Sequence, residues 1–412
     1  MNKENKTPLI RFKGFSDDWE QRKLGDVGEI STGSTPSTSN SVYYSENGIP
    51  WVTPTDINEL TISDTTRKLS EEGAKLGCVV PANTILCTCI ASIGKNTLLT
   101  VKGSFNQQIN GLTPYDKNDA YFLLTESEIW SNIMKRMAAA GTMQIVNKTE
   151  FSELKTMVPS YAEQQKIGSY FQNLDNLITL HQRKCESLKK VKKSMLQKMF
   201  PKNGESVPEI RFAGFTDDWE QRKLSEVATM HARIGWQNLR TSEFLDSGNY
   251  LLVTGTDFED GRINYATCHY VERERYEQDK HIQIENGSIL ITKDGTLGKV
   301  AYVQGLSMPA TLNAGVFNVV IKDEKLVDGK YLFQYLKAPF LMDYVDKKST
   351  GGTIKHLNQN ILVDFPVVMP CVDEQALIGA YFDNLDNLIT LHQRKVEKLK
   401  NLKKSMLQKM FV

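Results

Sequence analysis

Two long stretches of the chain place apolar residues among polar ones with the period of a helix that is buried along one side. Residues 163–200 and 374–411 are rich in Leu, Lys, Gln, Met and Glu, which favour helices. Apart from one glycine near each start, both stretches lack Gly and Pro. Their apolar positions recur at intervals of four and three, which is the pattern of a coiled-coil seam. At 1.5 Å per residue, each predicted helix is about 57 Å long.

The predicted seam positions correspond between the two helices, and one lysine interrupts each seam (Lys192 and Lys403). They are Leu174, Ile178, His181, Leu188 and Met195 in the first helix, and Leu385, Ile389, His392, Leu399 and Met406 in the second. The two histidines are predicted to be packed side chains and not bases. A stripe of this length needs a partner, so we expect an antiparallel coiled coil between the helices. The alternative is that each helix packs on its own neighbouring domain.

The chain repeats the segments that frame two dissimilar regions. Residues 10–27 and 210–227 share 14 of 18 positions, and residues 170–200 and 381–411 share 26 of 31. Fainter matches between the framed regions, such as Val52-Thr53-x-Thr55-Asp56 and Val253-Thr254-x-Thr256-Asp257, keep the same order. A period near 200 residues indicates duplication of a domain-plus-helix unit, because solenoid repeats are far shorter.

This repeat predicts a mixed α/β fold: two tandem α/β domains joined by two long helices, with an internal pseudo-two-fold repeat. The predicted segments are 1–27, the first repeated block; 28–160, the first insert; 161–200, the first helix; 201–227, a linker and the second block; 228–371, the second insert; and 372–412, the second helix. Within the inserts, strands are predicted at Ile49–Thr53, Thr84–Ile90, Tyr250–Thr254, Ser288–Thr292, Val300–Val303 and Val316–Ile321, helices at Asp119–Ala140 and Asp328–Lys347, and loops at 30–48 and 229–249.

Composition and charge limit the possible classes of protein. The net charge is +1, and the helices carry the positive charge (+5 over 163–200, +3 over 374–411), whereas residues 28–158 and 228–369 carry −3 and −2. Contact with DNA by the inserts would therefore depend on local patches or on partner subunits. The six cysteines form no disulfide or zinc pattern. The polar start and the lack of an apolar run of about 18 residues predict a cytoplasmic protein without a membrane span.

A search for catalytic motifs finds none that fits. Gly94-Lys95 and Gly298-Lys299 lack the other residues of a phosphate-binding P-loop. Neither the aromatic motif of amino-methyltransferases nor a glycine-rich nucleotide turn nor a nucleophile elbow occurs. We therefore predict a protein that is not an enzyme. An orphan nuclease or methyltransferase is the disfavoured alternative.

Several motifs together resemble the specificity subunits of type I restriction-modification enzymes. They are the run Gly33-Ser34-Thr35-Pro36-Ser37-Thr38 with Tyr43-Tyr44, Gly48–Trp51 and Asp56-Ile57 after it; Arg233-Ile234-Gly235-Trp236; and the repeated Gly-Thr … Glu-Gln-x-x-Ile-x-x-Tyr-Phe-x-x-Leu-Asp from Gly141 to Asp175 and from Gly352 to Asp386. The resemblance covers essentially the whole chain. The second insert departs from it, because it lacks the Gly-Ser-Thr-Pro opening.

The resemblance implies that each insert is a target recognition domain reading one half of a bipartite, asymmetric site in double-stranded DNA. It implies that the helices set the spacer and dock two methyltransferase (modification) subunits, which use S-adenosylmethionine. Restriction subunits, which translocate DNA with ATP and Mg, would join them, and this chain would carry no cofactor or metal itself. The alternative is a standalone coiled-coil DNA-binding regulator, which the divergent inserts disfavour because a regulator usually binds a symmetric site.

Amides, basic side chains and small hydroxyls on loops are the usual readers of bases. The candidates in the first insert are Ser34, Thr35, Ser37, Lys95, Asn106, Gln107 and Gln108. Those in the second are Arg233, Trp236, Gln237, Arg240, Lys293, Thr296, Lys299 and Asn313. For each of them the alternative is a solvated loop residue.

Overall fold

The chain folds into two compact units, the first of which takes residues from two parts of the sequence. The computed structural model describes residues 7–140, 145–202, 205–348 and 357–412, without the side chains of Ala140 and Trp236. Unit 1 comprises the residues up to 183 together with 393–412, and unit 2 comprises 184–392. Gly141, Thr142, Gly352 and Thr353, which belong to the repeated motif, lie outside the described residues.

Unit 1 combines three sheets with helices. Its strands are β1 (Glu20–Lys23), β2 (Gly28–Thr32), β3 (Tyr44–Val52), β4 (Thr61–Ile62), β5 (Lys68–Leu69), β6 (Cys78–Val80), β7 (Thr84–Thr88), β8 (Asn96–Leu99), β9 (Gly103–Phe105), β10 (Ile109–Pro114) and β11 (Lys155–Val158). Its helices are α1 (Leu24–Val27), α2 (Glu71–Leu76), α3 (Ala120–Ala140), α4 (Lys148–Ser152), α5 (Tyr161–Lys198) as far as residue 183, and α11 (Val372–Met410) from residue 393. The sheets have the orders β1-β11, β2-β10-β7-β8-β4 and β5-β3-β9-β6.

Unit 2 is built in a related way. Its strands are β12 (Glu220–Lys223), β13 (Ala228–His231), β14 (Leu251–Val253), β15 (Phe258–Glu259), β16 (Arg262–Ile263), β17 (His269–Tyr270), β18 (Gln283–Ile284), β19 (Ile289–Thr292), β20 (Val300–Tyr302), β21 (Ala310–Leu312), β22 (Val316–Ile321) and β23 (Pro366–Met369). Its helices are the part of α5 from residue 184, α6 (Leu224–Val227), α7 (Arg273–Glu277), α8 (Gly329–Lys337), α9 (Pro339–Lys348), α10 (Gln359–Val363) and α11 (Val372–Met410) as far as residue 392. The sheets have the orders β12-β23, β13-β22-β19-β20, β17-β14-β21-β18 and β15-β16.

The repeated Glu-Gln pair fixes the start of each long helix. In unit 1, Arg11 donates two hydrogen bonds of 2.8 Å to the buried carboxylate of Glu163. Gln164 donates to the Pro159 carbonyl at 3.0 Å and accepts from the Asp119 backbone at 3.0 Å. In unit 2, Arg211, Glu374 and Gln375 make the corresponding contacts. The repeated motif is therefore a structural joint between helix and insert.

Within each unit, the end of one long helix packs antiparallel against the start of the other. In unit 1, the ring of Phe411 lies 5.8 Å from that of Phe171, and Lys403 pairs with Asp175. Residue numbers therefore increase along one helix where they decrease along the other. In unit 2, the stacked rings of Phe200 and Phe382 and the Lys192–Asp386 pair show the same direction. The mixed α/β fold with long helices that the sequence predicts is confirmed.

The predicted seam residues lie in these cores. Leu174 and Ile178 are buried in unit 1, where Leu399 and Met406 are half-buried against the same core. Leu188, Leu385 and Ile389 are buried in unit 2, with Met195 half-buried beside them. His181 and His392 are half-buried.

One predicted helix is wrong. The expected helix over Asp328–Lys347 is broken into α8 and α9, because Pro339 follows Ala338, whose backbone is extended (φ −67°, ψ 163°). A proline disfavours helical backbone at the residue before it. The predicted loop segments are also shorter than expected, since β2, the start of β3 and the end of β13 occupy their margins.

Candidate nucleic-acid interface

Three loops of unit 1 leave the same end of its five-stranded sheet. Ile109, which starts β10, lies opposite Thr88 at the end of β7. Asn110 lies opposite Thr32 at the end of β2. The loop 33–40, the loop 89–95 and the turn 106–108 therefore emerge side by side, and they carry every candidate reader of the first insert.

Close contacts hold the loop 33–40 against the turn 106–108. The Thr35 hydroxyl donates to Gln107 Oε1, and the Ser34 backbone N–H donates to the Phe105 carbonyl at 3.0 Å. Gly33 approaches the turn so closely that a Cβ would overlap the carbonyl of Asn106. This close approach explains the glycine that opens the Gly-Ser-Thr-Pro run.

The first-insert candidates differ in exposure. Thr35, Ser37, Lys95 and Gln107 are exposed, whereas Ser34 and Gln108 are half-buried. Asn106 is buried and exchanges hydrogen bonds of 3.1 Å with Gln108. Asn106 therefore shapes the turn, and the exposed four remain available to a ligand.

The loops of unit 2 emerge in the same arrangement. His231 at the end of β13 lies opposite Asn318, and Thr292 at the end of β19 lies opposite Val316 at the start of β22. The loop 232–240, the loop 293–299 and the turn 313–315 thus share one end of the sheet. The Lys293 N–H donates to the Gly315 carbonyl at 2.8 Å, which joins two of them.

Arg233 and Gln237 occupy interior positions that sequence reasoning did not foresee. Arg233 is 2% exposed, and its guanidinium donates to the Leu312 carbonyl (3.0 Å), the Gln237 carbonyl (3.3 Å) and Gln278 Oε1 (3.1 Å). Burial, and then the neighbouring Arg275, lowers the pKa of Arg233. Gln237 is also buried, and its side chain accepts from the Ile234 N–H. These contacts anchor the loop 232–240, and base contact by Arg233 and Gln237 stays a prediction.

The other candidates of the second insert lie nearer the surface. Arg240, Thr296 and Lys299 are exposed, and Lys293 and Asn313 are half-buried. The Lys293 ammonium lies 5.4 Å from the ring centre of Phe317. Trp236 belongs to a 3-10 turn, Gly235–Gln237, and its side chain lies outside the described part of the chain.

Sequence reasoning missed a turn that neighbours both sets of loops. In unit 1, Asp56 accepts from the backbone and hydroxyl of Thr53 at 2.8 and 2.6 Å. In unit 2, Asp257 accepts from Thr254 at 2.8 and 2.9 Å. The Asn106 N–H donates to the Val52 carbonyl, and the Asn313 N–H donates to the Val253 carbonyl. The turns 106–108 and 313–315 are therefore bonded to the strands that lead into the Asp56 and Asp257 turns. The repeated Val-Thr-x-Thr-Asp run was the sequence signal that could have identified them.

Burial shifts the pKa of two titratable groups beside these loops. The rings of His231 and His281 are 4.8 Å apart, and burial, followed by His281, lowers the pKa of His231. Burial raises the pKa of Cys87 well above its usual value. No cluster of three or more His, Cys, Asp or Glu side chains that could hold a metal occurs within the described ranges.

Comparison with known proteins identifies the family. The profile of the type I restriction modification DNA specificity domain matches residues 16–190 and 216–401. The chain belongs to this family. The type I restriction enzyme MjaVIII specificity subunit of Methanocaldococcus jannaschii is 22% identical over 400 residues, covering 95% of this chain and 91% of that protein. The HindI specificity subunit of Haemophilus influenzae is 32% identical over 164 residues, covering 37% and 36%.

A solved structure shares the fold. The type I restriction-modification S subunit from M. genitalium superimposes with a TM-score of 0.67 at 14% identity, covering 98% of this chain and 99% of that one. The family predicted from the sequence is confirmed, and the chain is a specificity subunit with DNA recognition domains, the non-catalytic component of its complex. No helix within the described residues is long and apolar enough to cross a membrane.

Proposed function

We propose that residues 28–160 and 228–371 are two recognition domains that bind different halves of one bipartite, asymmetric DNA site. The observation that carries this proposal is that one framework presents two unlike sets of loops. The sheet ends, the Thr-x-Thr-Asp turns and the helix joints correspond between the units. The residues exposed on the loops differ.

The different loop anchors support different half-sites. The loop 33–40 is held by the bond between Thr35 and Gln107, which leaves small hydroxyls and an amide at the surface. The loop 232–240 is anchored by the buried side chain of Arg233, and Arg240 is exposed on it. Side chains of different hydrogen-bonding type read different base edges in the major groove. Thr35, Ser37 and Gln107 are the proposed readers of one half, and Arg240, Lys293 and Thr296 those of the other.

Exposed leucines on the long helices support the docking of two methyltransferase subunits. Leu177 and Leu180 are 43% and 61% exposed on α5, and Leu388 and Leu391 are 44% and 48% exposed at the corresponding positions of α11. Exposed apolar residues that recur at helical spacing are typical of an interaction surface. Because the surface occurs twice, two copies of the same partner would bind. Those partners would carry S-adenosylmethionine, and the restriction subunits ATP and Mg.

The helices are also proposed to set the spacer between the half-sites. Helices α5 and α11 contain 38 and 39 residues. Such helices are about 57–59 Å long, comparable with about 1.7 turns of B-DNA at roughly 34 Å per turn. Insertion of one helical turn within residues 180–195 should change the spacer or prevent assembly.

Methylation mapping tests the proposal. Cells that express this chain with its methyltransferase partner are compared with cells that lack the chain. A bipartite adenine motif that disappears without the chain is the expected result. Exchange of residues 28–158 for those of another specificity subunit should then change one half of the motif only. Methylation that persists without the chain would favour an independent DNA-binding regulator, and a change in both halves would contradict two separate readers.

A further inference from the structure

The two units share a hairpin turn that lies within their otherwise divergent loops. In unit 1, the Thr88 hydroxyl accepts from the Lys95 N–H at 2.9 Å, and the Gly94 N–H donates to the Thr88 carbonyl at 2.9 Å. In unit 2, the Thr292 hydroxyl accepts from the Lys299 N–H at 2.9 Å, and the Gly298 N–H donates to the Thr292 carbonyl at 2.9 Å. Each turn thus holds the backbone of one lysine in the same way.

Each turn favours glycine at one position, because the backbone there has a positive φ angle. Gly94 has a φ of +80° and Gly298 a φ of +72°, in the region that favours glycine. The lysine that follows each glycine is exposed and precedes the next strand. The residues between threonine and glycine differ: Cys89 to Ile93 in one turn, and Lys293 to Leu297 in the other. Only the placement of the lysine is retained.

A feature that is common to two readers of different sequences should contact what those sequences have in common. The two half-sites would share the sugar-phosphate backbone and differ in their base edges. Phosphate contacts set the register of a protein on DNA without carrying sequence information. A lysine ammonium suits this role, since it is a compact charge with three donors.

The surroundings of Lys95 agree with an anionic ligand. Lys95 and Lys135 line one shallow cavity of about 430 Å³, together with the small side chains of Ala91, Ser92 and Ala138. Of the described residues that line it, none is acidic. Two lysines thus face the same cavity, and a phosphate bound there would offset the repulsion between their charges.

We propose that Lys95 and Lys299 are equivalent DNA phosphate contacts, which position each recognition domain and read no base. This inference rests on the proposed function, and it removes both lysines from the set of base readers. The loop residues between threonine and glycine, Asp294 and Thr296 among them, then remain to distinguish the half-sites.

The test measures DNA affinity as a function of salt for the full chain assembled with its methyltransferase subunits. Lys95→Gln and Lys299→Gln are compared on DNA with the mapped motif and on DNA with either half-site altered. Loss of one phosphate contact should reduce the slope of log K against log salt by about 0.9. For a variant that binds DNA as tightly as the wild type at 1 M salt, this difference in slope is a roughly eightfold loss of affinity at 0.1 M salt. The loss should be the same on all three DNAs, and Lys95→Arg should restore the slope.

Matched controls lie at the opposite end of the same two sheets. Lys117 and Lys325 are exposed and follow β10 and β22, so Lys117→Gln and Lys325→Gln should leave the slope unchanged. An unchanged slope in Lys95→Gln and Lys299→Gln, or a relaxed base at one position of the methylation motif, would overturn the inference while leaving the proposed function intact. If the wild-type chain directs no methylation, the proposed function fails and the inference fails with it.

Discussion

Lys403 Nζ lies 2.8 Å from Asp175 Oδ1 in unit 1, and this pair has a counterpart in unit 2, where Lys192 lies 2.7 Å from Asp386. These are the lysines that interrupt the apolar seam. The repeated helices supply both pairs. A third charged side chain lies beside each pair; it comes from the insert, and its charge has a different sign in the two units. Glu128 lies 3.4 Å from Lys403 in unit 1. A lysine, Lys337, lies 3.3 Å from Asp386 in unit 2.

Removal of one partner from the pair in unit 1 should be costly. Lys403→Met leaves the carboxylate of Asp175, whose side chain is 8% exposed, without its cation, while the Tyr121 hydroxyl still donates to it. Breaking a buried pair in this way typically costs about 3–5 kcal/mol, whereas replacing both partners by apolar residues is often neutral. We expect the free energy of unfolding of Lys403→Met, measured in urea, to fall by about that amount, and Lys403→Met with Asp175→Leu to recover most of it.

The control for this pair is on the same helix. Lys400 is exposed, so Lys400→Met should change the free energy of unfolding by less than about 0.5 kcal/mol. If Lys403→Met costs no more than Lys400→Met, the buried pair does not hold the helices in register.

Glu126 should make the stability of unit 1 depend on pH. Its side chain is 3% exposed, and Oε1 accepts from the Met157 N–H at 3.0 Å. Burial raises the pKa of Glu126 to about 7, against the opposing hydrogen bond from the Met157 N–H. The folded state therefore holds a proton that the unfolded chain releases near pH 4.5. The contribution of Glu126 to the free energy of unfolding is fully present below pH 4.5. That contribution, about 3 kcal/mol, is lost as the pH rises towards 7.

Glu126→Gln should remove this dependence, because the amide cannot ionise. The free energy of unfolding is measured at pH 5.0 and 7.5 for the wild type, for Glu126→Gln and for Glu46→Gln, which changes an exposed carboxylate. We expect the difference between the two pH values to shrink only in Glu126→Gln. An equal pH dependence in all three proteins would show that Glu126 is ionised in the folded state.

These residues show what could and could not be read from the sequence. The seam around Leu174 and Leu385 could be predicted because helical periodicity is local and the repeat displays it twice. The burial of Arg233 could not, because its partner Leu312 lies on β21, which pairs with β14 far from the loop in sequence. The break at Pro339 was visible in the sequence, but the apolar period on both sides of it outweighed the proline.

The exposed leucines should govern assembly and not folding. Leu180→Asp and Leu391→Asp alter surface positions, so each should change the free energy of unfolding by no more than about 0.5 kcal/mol. A buried carboxylate would be costly in an apolar interface, so each change should remove one methyltransferase subunit, and both together should remove two. Native mass spectrometry of the complex counts the subunits, with the exposed Gln182→Asp as the control. Retention of both subunits in the double variant would exclude this surface as the docking site.

Arg233 should be required for reading by the second recognition domain without contacting a base. Arg233→Met would leave the Leu312 and Gln237 carbonyls without their buried donor, and hydrogen bonds of charged groups contribute about 1.5–3 kcal/mol. The loop 232–240 would lose its anchor, so methylation mapping should show the second half of the motif degenerate at several positions and the first half unchanged. Arg233→Lys should not rescue it, because an ammonium cannot reproduce the planar fork.

The exposed Arg240 separates anchoring from reading. Arg240→Met should leave the thermal midpoint unchanged and relax the preference at one base position, as expected of a side chain that contacts a base edge. Arg233→Met should instead lower the midpoint and affect the whole half-site. If Arg233→Met left the midpoint unchanged and altered a single base preference, its guanidinium would have to leave the interior on DNA binding, and the original assignment of Arg233 as a base reader would stand.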